Sequence, residues 1–155
     1  KKRFKMDELT IKGIIIQKLK IISSEKGDVL HMLRNDENSF KSFGECYFSE
    51  VNPDKIKGWK KHNIQNQFFS VPVGRLKLVL YDDRASSETY KTINEIILGR
   101  PDSYYRINIP PGIYYSFKCL TKTPALIVNC TDIPHSIEES SSLDLNNTII
   151  PYKWD

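Results

Sequence analysis

The chain has 155 residues, 39% of them hydrophobic and 27% charged, with a net charge of +4 from 23 basic and 19 acidic side chains. That balance describes a globular chain able to bury roughly 68–70% of its unfolded surface, and its length suggests a single domain, residues 1–155. It excludes a strongly basic nucleic-acid binder, because Lys1, Lys2, Arg3 and Lys5 carry much of the excess and read as a solvated polar tail over residues 1–10. No apolar run approaches a membrane span and no secretory signal is visible.

Residues 11–22 (IKGIIIQKLKII) are dense in β-branched side chains and alternate toward their end, the mark of a half-buried strand with a bulge or turn at Gly13. Residues 23–28 (SSEKGD) form a turn, and 29–33 a short strand that carries His31. A polar loop over 35–39 leads to a strand over 45–51, and Asn52-Pro53-Asp54 turns the chain. Residues 58–84 are the most informative stretch. A basic approach with Trp59, Lys60, Lys61 and His62 feeds a polar turn ending at Gln67. Two strand-like runs, 68–73 and 75–81, then follow on either side of Gly74 and close on Asp82-Asp83-Arg84. That pattern reads as half of a small antiparallel barrel with His62 near its mouth.

A serine-rich loop over 85–89 precedes strands expected over 90–98 and 103–109. Pro110-Pro111-Gly112 makes a rigid turn into a strand over 113–119, and the nearly apolar run 125–131 belongs in the middle of a sheet. The remainder is polar, with a small serine cluster at 140–142. Nine or ten short strands with no long helix indicate an all-β sandwich or jelly roll.

The cysteines, Cys46, Cys119 and Cys130, are odd in number and form no CxxC pair, which argues against a disulfide framework or a structural zinc site. They read as buried strand thiols of a protein in a reducing, cytoplasmic compartment.

Several pieces occur in a particular order. They are the glycine-plus-histidine entry before a strand pair, Asp82-Asp83-Arg84 with its Ser/Thr loop, Ile109-Pro110-Pro111-Gly112, Cys130-Thr131-Asp132 followed by Pro134 and Glu138/Glu139, and Trp154. Together they resemble the dTDP-4-dehydrorhamnose 3,5-epimerase family of cupin-type nucleotide-sugar enzymes, over most of the chain from about residue 14 to 154. The resemblance implies a double-stranded β-helix (jelly roll, cupin-like) and a homodimer without metal or other cofactor. It also implies a pocket for a nucleotide-linked 4-keto sugar and a place in surface polysaccharide or deoxysugar synthesis. In that family a histidine removes the proton beside the keto group, a tyrosine opposite returns one, and a carboxylate orients the histidine.

The departures from that pattern are specific. The family's histidine position, counted from Gly58, holds Lys60, with His62 two residues on. Val128 stands where the family has its tyrosine, and Tyr115 replaces a histidine after the Pro-x-Gly turn. The orienting carboxylate is expected in a C-terminal extension beyond Asp155.

His62 is the candidate base, since an unperturbed imidazole titrates near pH ~6.5; the competing reading is a polar strand-edge histidine. Lys60 serves as a base only if desolvation or repulsion from Lys61 deprotonates it. Tyr114 and Tyr115 alternate along one strand, so one points inward, as proton donor or as core. Arg84 pairs a diphosphate or bridges to Asp82 or Asp83. Lys26 and His31 fall where the family binds ligand, and Gln67 joins them as a binding candidate. Trp59 stacks on the ligand or packs. One histidine without a neighbouring carboxylate offers no metal site. The apolar edge 14–22 favours pairing with a second copy. The alternative to an enzyme is a carbohydrate-binding cupin that has lost its catalytic tyrosine and carboxylate.

Overall fold

The computed structural model describes residues 9–155. Among them run twelve strands: β1 (Ile15–Lys18), β2 (Ile21–Ile22), β3 (Val29–Leu30), β4 (Glu45–Val51), β5 (Ile56–His62), β6 (Gln67–Val73), β7 (Leu76–Asp82), β8 (Ile93–Leu98), β9 (Tyr105–Ile109), β10 (Ile113–Cys119), β11 (Ala125–Thr131) and β12 (Ser140–Ser142). The only helical element among the described residues is one 3-10 turn, Ile137–Glu139, and no helix is long and apolar enough to cross a membrane. The strands make two five-stranded antiparallel sheets, β1-β9-β6-β11-β4 and β12-β5-β10-β7-β8, with β2–β3 as a separate ribbon. This is the all-β jelly roll that the strand pattern predicts.

The core lies between the sheets. Leu76, Leu78 and Leu80 of β7 alternate inward and meet Phe69, Val71, Ile107, Ile109 and Ile127 of the facing sheet. β7 is apolar on its other face as well, and the chain's C-terminal segment explains why. Val79 and Tyr81 join Trp59, Tyr114 and Ile150 in a second cluster, against which Tyr152 and Trp154 pack. The Trp154 indole donates to Ser116 Oγ at 3.1 Å, locking this strap over the outer face.

Several expectations need correction. Gly74 does not join a hairpin, because β6 and β7 lie in opposite sheets. Gly74 (φ +76°) turns a corner where an added Cβ would sit 2.7 Å from Ala125 Cα. The basic approach to His62 is itself a strand, β5. Residues 90–92 form a turn before β8, the strand at 29–33 is cut to Val29–Leu30, and the serine cluster is β12, paired with β5. Cys46 is exposed rather than buried and lies opposite Cys130 with the sulfurs 3.2 Å apart. The expected tail at Lys1–Lys5 falls outside the described residues. Leu9 packs on the core and the Thr10 amide donates to Asn94 Oδ1, so residues 9 and 10 are anchored.

The loop after β7 is organised by Asp82. Its buried carboxylate accepts from the Arg84 guanidinium, the Arg84 amide, Ser87 Oγ and Thr89 Oγ1. Burial alone would raise its pKa, but these donors outweigh it and hold the carboxyl well below the ordinary range. Asp82→Asn turns acceptors for five donor contacts into a mismatched amide. It should cost roughly 3 kcal/mol, a fall in Tm of about 6–12 °C for a chain of this size. A melting curve within about 2 °C of wild type would show that the carboxylate does not hold this loop.

Candidate active site

β5 places the reactive side chains by means of a bulge. Tyr115 of β10 lies opposite Lys60, but Ser116 lies opposite Gly58, so Trp59 is an extra residue. The slip resets the alternation: Lys57, Lys60 and His62 face the space between the sheets, while Trp59 and Lys61 face out. Only glycine fits at the bend. Gly58 has φ +127°, and a Cβ there would lie 2.7 Å from Ser116 Cα.

His62 is 2% exposed and bonded at both ring nitrogens. Nδ1 lies 2.7 Å from Glu139 Oε2, and Nε2 lies 3.0 Å from Tyr115 Oη. Glu139 Oε1 accepts the backbone amides of Ile64 and Gln65 at 2.9 and 2.8 Å. Glu139 ends the 3-10 turn just before β12, whose pairing with β5 sets Ser140 opposite His62. Burial works to raise the Glu139 pKa, but the two amides and the imidazole prevail and hold it below the ordinary carboxylate value. Burial is the largest influence on His62 and lowers its pKa; Glu139 opposes this, and Lys60 and His135 add to the lowering. Both directions describe one state: an ionised Glu139 accepting Nδ1–H from a neutral imidazole. The Nε2 lone pair then accepts the Tyr115 hydroxyl proton. Tyr115 remains a phenol because burial pushes its pKa well above 10.

Beside this triad lies a cavity of about 330 Å³. Its walls include Lys57, Lys60, Tyr115, Phe117 and Ser142 from one sheet, and Tyr47, Ser49, Phe69, Ile127 and Asn129 from the other.

The expected site residues divide. Tyr115 and Lys60 line the cavity, and His62 stands behind Tyr115, bonded to its hydroxyl. Tyr114 points the other way, into the outer cluster beneath Lys61 Nζ, 4.9 Å from its ring centroid. Trp59 borders the cavity, but its ring packs edge-on against Tyr152 at 6.1 Å. Arg84 is not among the cavity's lining residues; it is committed to Asp82, Lys12 O and Ser87. Gln67 is buried behind Asn129, to which it is bonded. Lys26 is exposed at the β2–β3 turn, and His31 bonds through its backbone to Lys20 and Tyr104.

Glu139 places a carboxylate on His62 Nδ1, where the resemblance implies one only in a C-terminal extension. Glu138-Glu139 is visible in the sequence, but its approach to His62 depends on the β12–β5 pairing. The same approach removes the argument that His62 lacks neighbouring ligands. Ligand atoms of His62, His135 and Glu139 lie within 4.8 Å of one another. In this arrangement, however, Glu139 Oε2 and His62 Nδ1 are bonded to each other, and Glu139 Oε1 is taken by two amides.

No protein-family model matches the chain. It is 46% identical to a dTDP sugar isomerase from Desulfovibrio desulfuricans G20, whose solved structure superposes with a TM-score of 0.91 over 93% of this chain and 92% of that one. It is 26% identical over 147 residues to the spore coat polysaccharide biosynthesis protein SpsL of Bacillus subtilis, covering 94% of this chain and 97% of SpsL. The dTDP-4-dehydrorhamnose 3,5-epimerase of Bacillus anthracis, solved with TDP and pyrophosphate, shares the fold at a TM-score of 0.83 and 18% identity, over 97% of this chain and 89% of its own. The chain therefore belongs to the dTDP-sugar isomerase and dTDP-4-dehydrorhamnose 3,5-epimerase-like family of nucleotide-sugar enzymes.

Proposed function

We propose that this protein is a nucleotide-sugar epimerase or isomerase of polysaccharide or glycan biosynthesis, acting on a 4-keto sugar joined to a nucleoside diphosphate. The observation that carries the reading is the Glu139–His62–Tyr115 chain ending at a cavity. It supplies a neutral base, a carboxylate to stabilise its protonated form and a phenol at the cavity wall. The presence of Glu139 removes the main support for a binding module that has lost its chemistry.

The resemblance implies a histidine and a tyrosine on opposite sides of the sugar. Here Tyr115 is bonded to His62 instead, and it is Tyr115, not His62, that lines the cavity. As a carbon–hydrogen bond beside the keto group breaks, its proton passes to Tyr115 Oη while the phenol proton moves to His62 Nε2. The electron pair goes to the carbonyl oxygen as an enolate, and Glu139 steadies the imidazolium. A proton delivered by water to the other face of that carbon gives the epimer, while the imidazolium releases its own to solvent; return through Tyr115 to the former carbonyl carbon, as the neighbouring hydroxyl proton passes to the former keto oxygen, gives the isomer. Lys57 and Lys60 at the cavity are the cations for the diphosphate, a role that Arg84 does not fill.

We also propose a homodimer formed through the β1 edge, where Ile15 is exposed, and a reducing, cytoplasmic setting that suits three free thiols. Light scattering at micromolar concentration should give twice the chain mass; a monomer would refute the dimer.

The decisive experiment is exchange of sugar ring protons with D₂O in a 4-keto nucleotide sugar. Wild type should exchange. His62→Asn keeps shape and polarity but removes the proton acceptor, so exchange should fall by about 10²–10⁴ with Kd changed less than about tenfold, or ~1.4 kcal/mol. A wild type that binds the sugar nucleotide without exchanging it would return the binding-module reading.

The pH profile provides a separate check. With the His62 pKa lowered, the neutral base persists below the ordinary imidazole value, so the acid limb of kcat/KM should fall below pH ~6.5. Glu139→Gln removes an influence that raises the His62 pKa, so the limb should move further down. The installed amide also donates to Nδ1, which displaces the proton to Nε2 and lowers the rate by about 10²-fold or more. An acid limb that moves up in this variant would contradict the dyad.

A further inference from the structure

The wall facing Tyr115 contains a hydrogen-bond chain whose direction is fixed. The Ile133 carbonyl can only accept, and it takes Gln65 Nε2–H at 2.7 Å. Gln65 Oε1 must then accept from Gln67 Nε2, at 2.9 Å, and Gln67 Oε1 from Asn129 Nδ2. The second proton of Asn129 Nδ2 goes to Tyr47 Oη at 2.8 Å. Gln65, Gln67 and Asn129 are each 1% exposed, so water does not scramble these directions. The arrangement leaves Asn129 Oδ1 buried without a partner among the described residues. That is a real cost, and it keeps Nδ2 between Gln67 and Tyr47.

The consequence falls on Tyr47. Its oxygen is committed as an acceptor, and its own proton has no acceptor among the described residues. The residue lines the same cavity as Tyr115, from the opposite sheet, and is 37% exposed. Burial of the ring raises its pKa, against the Asn129 hydrogen bond, so the phenol keeps its proton. A cavity with a proton acceptor on one wall and a fixed O–H donor on the other suits a ligand that loses a proton while charge gathers on an oxygen.

We infer that Tyr47 is a catalytic residue that donates a hydrogen bond to the keto oxygen of the bound sugar, and that Gln65, Gln67 and Asn129 are positioning residues that set its polarity. The inference rests on the proposed keto-sugar reaction and adds the group that stabilises the enolate. In the step above, the electron pair released from carbon resides on the carbonyl oxygen. Tyr47 strengthens its bond to that oxygen without losing its proton, and no other reactant is needed.

Two variants test it. Tyr47→Phe removes the donor. Asn129→Asp replaces the amide donor by a carboxylate, so that Tyr47 donates to position 129 and turns its proton away from the cavity. Each should lower kcat for ring-proton exchange about 10²–10³-fold and leave Kd for thymidine diphosphate, which lacks the keto sugar that Tyr47 would contact, within about threefold. Retained diphosphate binding also establishes that the variants fold. The double variant should be no slower than Tyr47→Phe alone, because both act through one proton. Exchange by Tyr47→Phe within about threefold of wild type overturns the donor role and leaves the epimerase reading standing. Losses that multiply in the double variant overturn the positioning role. Absence of exchange in wild type refutes the proposed function itself, and this inference with it. If Asn129→Asp fails to bind the diphosphate, Asn129→Ser, which offers a donor of its own to Tyr47, should restore part of the exchange rate; a Ser variant that folds and is as slow as Tyr47→Phe also overturns the positioning role.

Discussion

The site depends on one carboxylate. Glu139 receives two backbone amides at one oxygen and the His62 ring at the other, and it is almost wholly buried. A buried carboxylate with that many donors stays ionised, and an ionised partner at Nδ1 fixes the imidazole tautomer. The free lone pair at Nε2 follows from that, and so does the direction of the Tyr115 hydroxyl. The same contacts tie the β5–β6 turn to the segment before β12. One residue thus serves local structure and chemistry together, and its loss would affect both.

Polar groups inside a sandwich are tolerated only when their hydrogen-bonding capacity is met. The two walls of the cavity approach that demand differently, and one of them leaves Asn129 Oδ1 unpaired. One wall uses charge, in the Glu139–His62 pair. The other uses the neutral Gln65–Gln67–Asn129 run, anchored at a backbone carbonyl and ending at Tyr47. Both lie mainly on strands that pair on two sides, β10 and β5 on one wall and β6 and β11 on the other. Side chains on such strands have little freedom to move, which suits groups that must meet a reacting atom to within a fraction of an ångström.

The fold was largely legible because its strands alternate. β7, β9, β10 and β11 show β-branched and aromatic residues between Gly, Pro and Asp signals, and the structure forms strands there. β5 was not legible, because a bulge shifts its alternation midway and three of its inward positions are Lys57, Lys60 and His62. Read with a strict period of two, it resembles a polar approach. His62 stood out as a rare titratable side chain, and one of the two adjacent tyrosines had to face inward; the choice of Tyr115 needed the register. Glu139 lies 77 positions from its partner, so no local pattern links them. Gln67 and Asn129 look like ordinary strand polars until the pairing of β6 with β11 brings their amides together.

Arg84 shows why charge alone misleads about a site. An Asp-Asp-Arg cluster after a strand is a plausible diphosphate clamp, but a guanidinium bonded to both oxygens of a buried carboxylate has little left to offer a ligand. Lys57 and Lys60 have no carboxylate partner among the described residues, only a long bond from Lys57 to Ser49 Oγ, and they face the cavity. The difference comes from position on the sheet. Asp82 ends β7 beside a loop whose hydroxyls and amides need an acceptor, so the local backbone claims the carboxylate and the carboxylate claims Arg84. β5 runs along the cavity with its bulge, and the slip that reverses its pattern turns two lysines and a histidine toward the space between the sheets. The irregularity that hid β5 from a periodic reading is what gives the strand its chemical face.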